Sequence, residues 1–254
     1  LRRVPGYYYT EHEACISDVE AEFEAAREAG VSGLVRVEAT PLPMRVKAAF
    51  RADHQAQFDP YAYVTGLARA LAAAGVQIYE HTRVEAFAHE GGGVRLETQQ
   101  GTVQAQQVVF ATHTPLGISP LHTLVAPYRS YVVAFRLPGA VPEGLFSDTT
   151  DPYWYTRDAH FGDERLLVVG GADHKTGEGG EDEAPYHAVM HYVETRYPGA
   201  EAVYRWSEEV FESVDGLPFI GPSPLQPGIF TATGYGGDGL TFGTVAGRLL
   251  ADLV

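Results

Sequence analysis

The chain of 254 residues has one cysteine, Cys15. That excludes an intrachain disulfide, a cysteine-rich zinc site and an iron–sulfur cluster held by these residues alone. Long hydrophobic runs are also missing: no apolar stretch approaches the roughly 18 residues of a membrane-crossing helix. The start, Leu1-Arg2-Arg3-Val4-Pro5-Gly6, has neither a methionine nor the apolar centre of a signal peptide. A cytoplasmic location is the default expectation, and the missing methionine suggests a fragment. Positive charge is scarce, with 18 Lys and Arg against 33 Asp and Glu, a formal net charge of -15. Such a surface disfavours nucleic acid and anionic membrane as partners. Internal repeats and low-complexity tracts are absent as well.

What is present concentrates in the last forty residues, Asp215 to Val254. Gly228 to Thr233 is a short apolar and β-branched run, as a buried strand would be. Gly234, Gly236 and Gly239 then spell G-x-G-x-x-G. Phe242, Val245, Ala246, Leu249, Leu250 and Leu253 follow at the spacing of one helical face. Gly243 and Gly247 leave that helix free to approach a sheet closely, and Asp238 is placed to cap it. A strand that feeds glycines into a helix start offers backbone N–H groups and the positive end of a helix dipole to electron-rich ligand atoms. A dinucleotide fingerprint would need a further βαβ unit and an acidic residue roughly 20 positions on. Here Val254 is the last residue, so the loop is expected to meet a cofactor from the far end of a fold.

The rest of the chain alternates helices and strands. Glu11–Gly30 predicts a helix with Ile16, Val19, Phe23 and Ala26 on one face and Gly30 at its end. Val31–Val37 and Met44–Phe50 predict strands. Asp59 and Pro60 open a helix over Tyr61–Ala74, with Val64, Leu67, Ala68 and Leu71 as its buried face. Gly75 ends it, and Val76–Glu80 predicts a strand. Val84–His89, Val94–Thr98 and Thr102–Ala105 predict an antiparallel meander turned at Gly91-Gly92-Gly93. Gln107–Thr112 predicts a parallel strand. Leu124–Leu137 alternates, with Tyr131, Val133 and Phe135 on one face and Ser130, Val132 and Ala134 on the other. Pro152–Arg157 and Arg165–Gly170 predict a strand pair, Ala184–Tyr197 a helix and Ala202–Phe211 a strand. His187 and His191 have the i, i+4 spacing of a helical metal pair, but Ala188-Val189-Met190 between them lacks the glutamate of H-E-x-x-H. No metal site is expected.

Asp215–Gly221 and Thr233–Thr241 closely resemble the C-terminal signature of the FAD-dependent oxidoreductases of the D-amino-acid oxidase, glycine oxidase and sarcosine oxidase superfamily, a DG-x-P-x-IG turn followed by a strand and G-x-GG-x-G-L. The run from Gln57 to Thr112 is similar too. So is Gly170-Gly171-Ala172-Asp173-His174-Lys175-Thr176-Gly177, which, with Tyr204–Ser207, resembles a subgroup often fused to a Rieske domain. The resemblance implies an α+β and α/β fold: a partial FAD-binding parallel sheet with helices, interleaved with an antiparallel substrate-domain sheet. The substrate domain would comprise 1–52 and 116–212, the FAD domain 53–115 and 213–254. FAD contacts would fall on Val84, Ala111, Thr112, Asp215, Gly216, Gly234, Gly236, Gly237, Asp238, Gly239, Leu240 and Thr241.

The implied function is oxidation of the C–N bond of an amine or amino acid to an imine, with Tyr155, Arg157 and His174 on the substrate side. The family's N-terminal ADP-binding unit is not found in these residues. The chain alone is therefore expected to be inactive, not to retain FAD, and to have a sheet edge open to self-association. Relatives that oxidise amino acids place an arginine before the DG turn; Glu209–Val214 has none. An amine without a carboxylate, or an acid held differently, is then expected, with Arg129 and Arg157 as other anion candidates. The rival reading is a non-catalytic remnant that binds no flavin.

Overall fold

A computed structural model describes residues 1–114, 119–178 and 183–254. In chain order the elements are β1 (Arg2–Thr10), α1 (Ile16–Glu28), β2 (Leu34–Arg36), β3 (Ala48–Gln57), α2 (Pro60–Ala73), β4 (Val84–Glu90), β5 (Gly93–Thr98), β6 (Gly101–Ala105) and β7 (Val108–Phe110). There follow β8 (Val125–Arg136), β9 (Leu145–Asp148), β10 (Tyr155–Phe161), β11 (Glu164–Lys175), α3 (Glu183–Arg196), β12 (Glu201–Ser213), β13 (Phe219–Pro222), β14 (Ile229–Thr233) and α4 (Gly239–Leu253). Two compact units result, residues 1–59 with 129–208 and residues 60–128 with 209–254. The division expected at 115/116 lies outside the described residues.

The first unit is built on a mixed sheet of order β12-β8-β11-β10-β9-β1-β3-β2. β1 runs parallel to β9 and antiparallel to β3, and β10 pairs antiparallel with both β9 and β11. The alternation of β8 is realised as read. Tyr131, Val133 and Phe135 pack with Leu167 and Val169 of β11 against Val189, Tyr192 and Val193 of α3. Val132 and Ala134 pack with Leu166 and Val168 on the opposite face. These strands are buried on both faces, and their apolar residues run nearly without interruption. α1 covers that opposite face at its other end, where Val19 and Phe23 close on Phe50. Gly30 ends this helix at φ +82, with the Val31 N–H reaching back to Ala26 O.

Asp158 ties three strands together. Its fully buried carboxylate accepts hydrogen bonds from Arg2 of β1, Gln57 of β3 and, at 2.9 Å, Arg165 of β11. Burial pushes its pKa up, but these donors outweigh burial and hold it below the ordinary carboxylate value.

The second unit holds the β4-β5-β6 meander and a three-stranded sheet of order β13-β14-β7, in which β14 lies parallel to β7. Gly91 and Gly92, at φ +61 and +83, make the tight turn between β4 and β5. Val94, Val108, Phe110 and Ile229 form one core, and Ala246 and Leu250 of α4 press on Phe230 and Ala232 to form another.

Several expectations are corrected. Val76–Glu80 is not a strand; no strand of the described residues pairs with it, and a lone extended segment has no ladder to stabilise it. α2 forms, but no residue of it is buried: Val64, Leu67 and Leu71 are exposed because nothing among the described residues covers that stripe. β3 begins at Ala48 instead of Met44 and continues to Gln57. Gly243 and Gly247 do not mediate a close approach, since an added Cβ would meet nothing within 4 Å at either. No helix among the described residues is long and apolar enough to cross a membrane.

Candidate functional site

In the second unit the site is the passage from β14 into α4. Thr233 is buried at the strand end, and its hydroxyl donates to the backbone oxygen of His113, just beyond β7. This brings Ala111 and Thr112 beside the glycine loop. Thr112 closes a local turn, its hydroxyl donating to Thr114 O at 2.6 Å. Gly234 needs its glycine: φ is +76, and a Cβ there would stand 3.4 Å from both Ser213 and Val125.

The loop then divides. Tyr235 forms a bridge with Glu212, and the Gly236 N–H donates to Phe211 O at 2.9 Å. Asp238 N–H turns back to Tyr235 O at 3.0 Å. The N–H groups of Gly236 and Asp238 are thus used internally, which corrects the expectation that the whole loop offers donors outward. Beyond them, Gly239, Leu240 and Thr241 form the first turn of α4, whose N–H groups have no intrahelical acceptor. Gly237, Gly239, Leu240 and Thr241 are exposed, and a Cβ on Gly239 would meet open space.

Asp238 occupies the N-cap position but does not cap. Its φ of -96 and ψ of 33 are not the extended conformation that aims a cap side chain at the helix, and its carboxylate takes no cap hydrogen bond. The open turn is therefore available to an electron-rich ligand edge, as a flavin ring would require. Asp215 and Gly216 make a turn ahead of β13, with Asp215 Oδ1 accepting from Leu217 N at 3.1 Å and Gly216 at φ +75. Val84 starts the meander opposite Thr98, and no hydrogen bond or bridge of the described residues links it to the loop.

In the first unit Tyr155 and Arg157 project from one face of β10. Tyr155 is paired in register with Gly170, and its ring lies across that glycine: a Cβ on Gly170 would stand 2.0 Å from Tyr155 Cζ. The Tyr155 hydroxyl reaches Ser130 Oγ at 3.1 Å, and burial pushes its pKa up. Arg157 is half-buried and has no carboxylate ion pair among the described residues; burial lowers its pKa against the pull of Asp158 and Asp59, and its guanidinium donates to Phe58 O at 3.5 Å. It lines a cavity of about 430 Å³ together with Tyr8, Phe50, Ala52 and Leu145, a size suited to a small ligand.

His174 does not join them. Its ring stacks on Tyr131, its Nε2 lies 3.0 Å from the Tyr131 hydroxyl, and Tyr131 belongs to the face covered by α3. The reason is a slip in the alternation of β11 at Gly171 and Ala172, whose φ values are +148 and +54. Val169 and Ala172 both pack on the α3 face, so the residues beyond are reversed. Asp173 is turned instead toward Ser130 and Tyr155, with burial raising its pKa and the Ser130 hydroxyl opposing that. Ser130 and Asp173 went unselected in the sequence. The alternation of β8 marks Ser130's face, and Gly170-Gly171 within the strand is the one local sign of the slip. Arg129 donates to Ser207 Oγ at 3.0 Å. No group of three or more metal-ligating side chains occurs among the described residues.

The family model described as DAO, FAD dependent oxidoreductase, matches residues 1–253. The YhfW protein of Bacillus subtilis strain 168, named as a Rieske 2Fe-2S iron-sulfur protein, is 30% identical over 253 residues, covering 98% of this chain and 49% of that protein. Glycine oxidase of Geobacillus kaustophilus strain HTA426 is 30% identical over 197 residues, 74% of this chain and 51% of the enzyme. The chain thus spans about half the length of these curated relatives. Among solved structures, glycine oxidase from Geobacillus kaustophilus superposes with a TM-score of 0.85 at 23% identity, over 100% of this chain and 71% of that one. L-proline dehydrogenase from P. horikoshii gives 0.81 at 17% identity, over 99% and 72%.

Proposed function

The chain belongs to the FAD-dependent oxidoreductase family, and on that premise we propose that it carries the ring-side cofactor contacts and the substrate surface of an enzyme oxidising the C–N bond of an amine or amino acid to an imine. In this reading residues 60–128 with 209–254 serve the cofactor, and residues 1–59 with 129–208 serve the substrate. The observation that carries it is the open first turn of α4, whose three successive N–H groups have no intrahelical acceptor and no side-chain cap. Gly237, Gly239, Leu240 and Thr241 would hold the pyrimidine edge of the flavin, where aligned N–H groups and the helix dipole favour negative charge. Two-electron oxidation, with hydride leaving the carbon that bears nitrogen, is the chemistry FAD supplies when bound.

On the substrate side, Arg157 supports binding of a carboxylate or other anion, since its guanidinium is desolvated without a carboxylate partner. This is the differently held acid that the missing arginine in Glu209–Val214 calls for. Tyr155 presents a hydroxyl from the same strand. Arg129, engaged by Ser207, and His174, engaged by Tyr131, are supported less by their surroundings.

The test is an FAD titration of the full protein followed by flavin fluorescence, then anaerobic addition of amines and amino acids. FAD quenching, and loss of the visible flavin band with one class of amine, are expected. Gly237→Val should abolish quenching with an unchanged circular dichroism spectrum, because Gly237 is exposed. Protein that stays colourless after FAD addition would instead support the non-catalytic reading.

A further inference from the structure

We propose that Asp173 stores the proton that a bound substrate ammonium must lose, receiving it through Ser130 and Tyr155; this rests on the amine-oxidation reading above and names a positioning residue for it. Asp173 Oδ1 is buried and accepts no hydrogen bond. A buried acceptor left unpaired is costly, and such groups in folded proteins call for an explanation. The slip at Gly171 and Ala172 brings the carboxylate there, with Ala172 in a left-handed conformation uncommon for a residue other than glycine.

The direction of the hydrogen bonds follows from counting protons. A carboxylate only accepts, and a serine hydroxyl has a single proton to give. Ser130 lies 3.1 Å from the Tyr155 hydroxyl, on the face to which the slip turns Asp173, and its hydroxyl favours the ionised carboxylate. With Asp173 ionised, Ser130 donates to it, and Tyr155 donates to Ser130. The Tyr155 oxygen is left with free lone pairs, an acceptor suited to an ammonium, and Tyr155 lines the same cavity as Arg157. When the ammonium proton passes to Tyr155, the tyrosine's own proton moves to Ser130, and the serine's to Asp173. The products are a neutral amine and a carboxylic acid. Both hydroxyls are restored, and no oxidant is consumed. Only the neutral amine has the nitrogen lone pair that assists hydride departure.

Burial pushes Asp173 in the direction a proton store requires. The titratable groups around it are few. Tyr155 faces it from β10, with Arg157 two residues farther along that strand. From its own strand His174 acts on it electrostatically while its ring is turned to Tyr131. From β8 the Ser130 hydroxyl opposes the effect of burial on it.

The test uses the FAD-loaded full protein and 2-aminoisobutyrate, an amine with no hydrogen on its α-carbon, which can bind but cannot be oxidised. Calorimetry near neutral pH in two buffers of different ionisation enthalpy counts the protons released on binding. Wild type should release none, because Asp173 keeps the proton, and Asp173→Asn should release about one; release of none by the variant as well would mean that the ammonium binds intact and would overturn the proposal. Release of about one proton by the wild type overturns the proposal while leaving the amine reading intact. With an oxidisable amine, Asp173→Asn and Ser130→Ala should each lose about 100-fold in kcat/KM at neutral pH and recover as the pH rises through the amine's own pKa. An equal loss at every pH would mark Asp173 as purely structural and overturn the proposal. Failure of every amine to bind at any pH would remove the amine reading, and this proposal with it.

Discussion

α2 and α3 are both fourteen residues long, and they have opposite fates. α2, Pro60–Ala73, is the more apolar, with Arg69 its only charged residue, yet no residue of it is buried. α3, Glu183–Arg196, is interrupted by Glu194, His187 and His191, yet Val189, Tyr192 and Val193 are buried on β8 and β11. An apolar stripe tells which side of a helix seeks cover. Whether cover exists is decided by strands far away in sequence. The comparison predicts that stability is concentrated in the double-faced sheet of the first unit and is nearly indifferent to the α2 stripe.

The largest effect should come from Asp158. Asp158→Ala leaves Arg2 and Arg165 with only the more distant Glu143, at 3.8 and 3.5 Å, and Gln57 without this acceptor. Removing one partner of a fully buried pair costs about 3–5 kcal/mol; here the arginines left behind are about one-third exposed, so a loss of about 3 kcal/mol, the low end, is expected and chemical denaturation would read it directly. The loss should depend on pH. Because the folded-state pKa is depressed, the stabilisation is fully present above the unfolded value of about 3.9 and disappears as pH falls through the folded-state value. Wild type and Asp158→Ala should therefore converge in strong acid. Next in size, Val193→Ala on α3 should cost about 2 kcal/mol, since the side chain is 1% exposed and its removal leaves a cavity against β8 and β11.

Gly170→Ala should be milder for stability and sharper for function. The new methyl would stand 2.0 Å from Tyr155 Cζ, so the ring must swing off its glycine and abandon Ser130. Because the ring is half-buried it has room to move, and a stability loss of about 1 kcal/mol is expected, the low end for overpacking. Substrate oxidation should fall far more than stability if Tyr155 contacts the amine. Unchanged kcat/KM in Gly170→Ala would detach Tyr155 from the reaction.

Legibility in the sequence followed the range of the interactions. The β4–β6 meander with its Gly91-Gly92 turn and the two faces of β8 are set by near neighbours, and each was readable; of the stripe expected on α4 only Ala246 and Leu250 are buried, while Val245, Leu249 and Leu253 are exposed. β1 was not: Pro5 and Gly6 interrupt it, and only the shift in its pairing with β3 between Val4 and Gly6 lets a strand pass through them. The inward use of the Gly236 N–H depends on Phe211, and the turning of Asp173 onto Ser130 depends on a slip that neither residue type signals. The glycines of the cofactor loop were therefore legible as a group, while which of their N–H groups stay open was fixed by tertiary pairing.

The smallest effect is expected from Leu67→Gln on α2. Leu67 is 47% exposed, so the substitution removes little apolar surface from any core. Glutamine and leucine have nearly equal helix propensity, so the helix itself should be indifferent. In this chain the change should fall within about 0.5 kcal/mol, as for ordinary surface positions, against about 2 kcal/mol for Val193→Ala on the covered helix. Parallel denaturation of the two variants measures the contrast directly. A cost above about 1 kcal/mol for Leu67→Gln would exceed that surface range and mean that the stripe is covered in solution. The comparison between the helices would then fail. Repeating the measurement across protein concentration would identify a second copy of the chain as the cover, because only then does the cost grow with concentration.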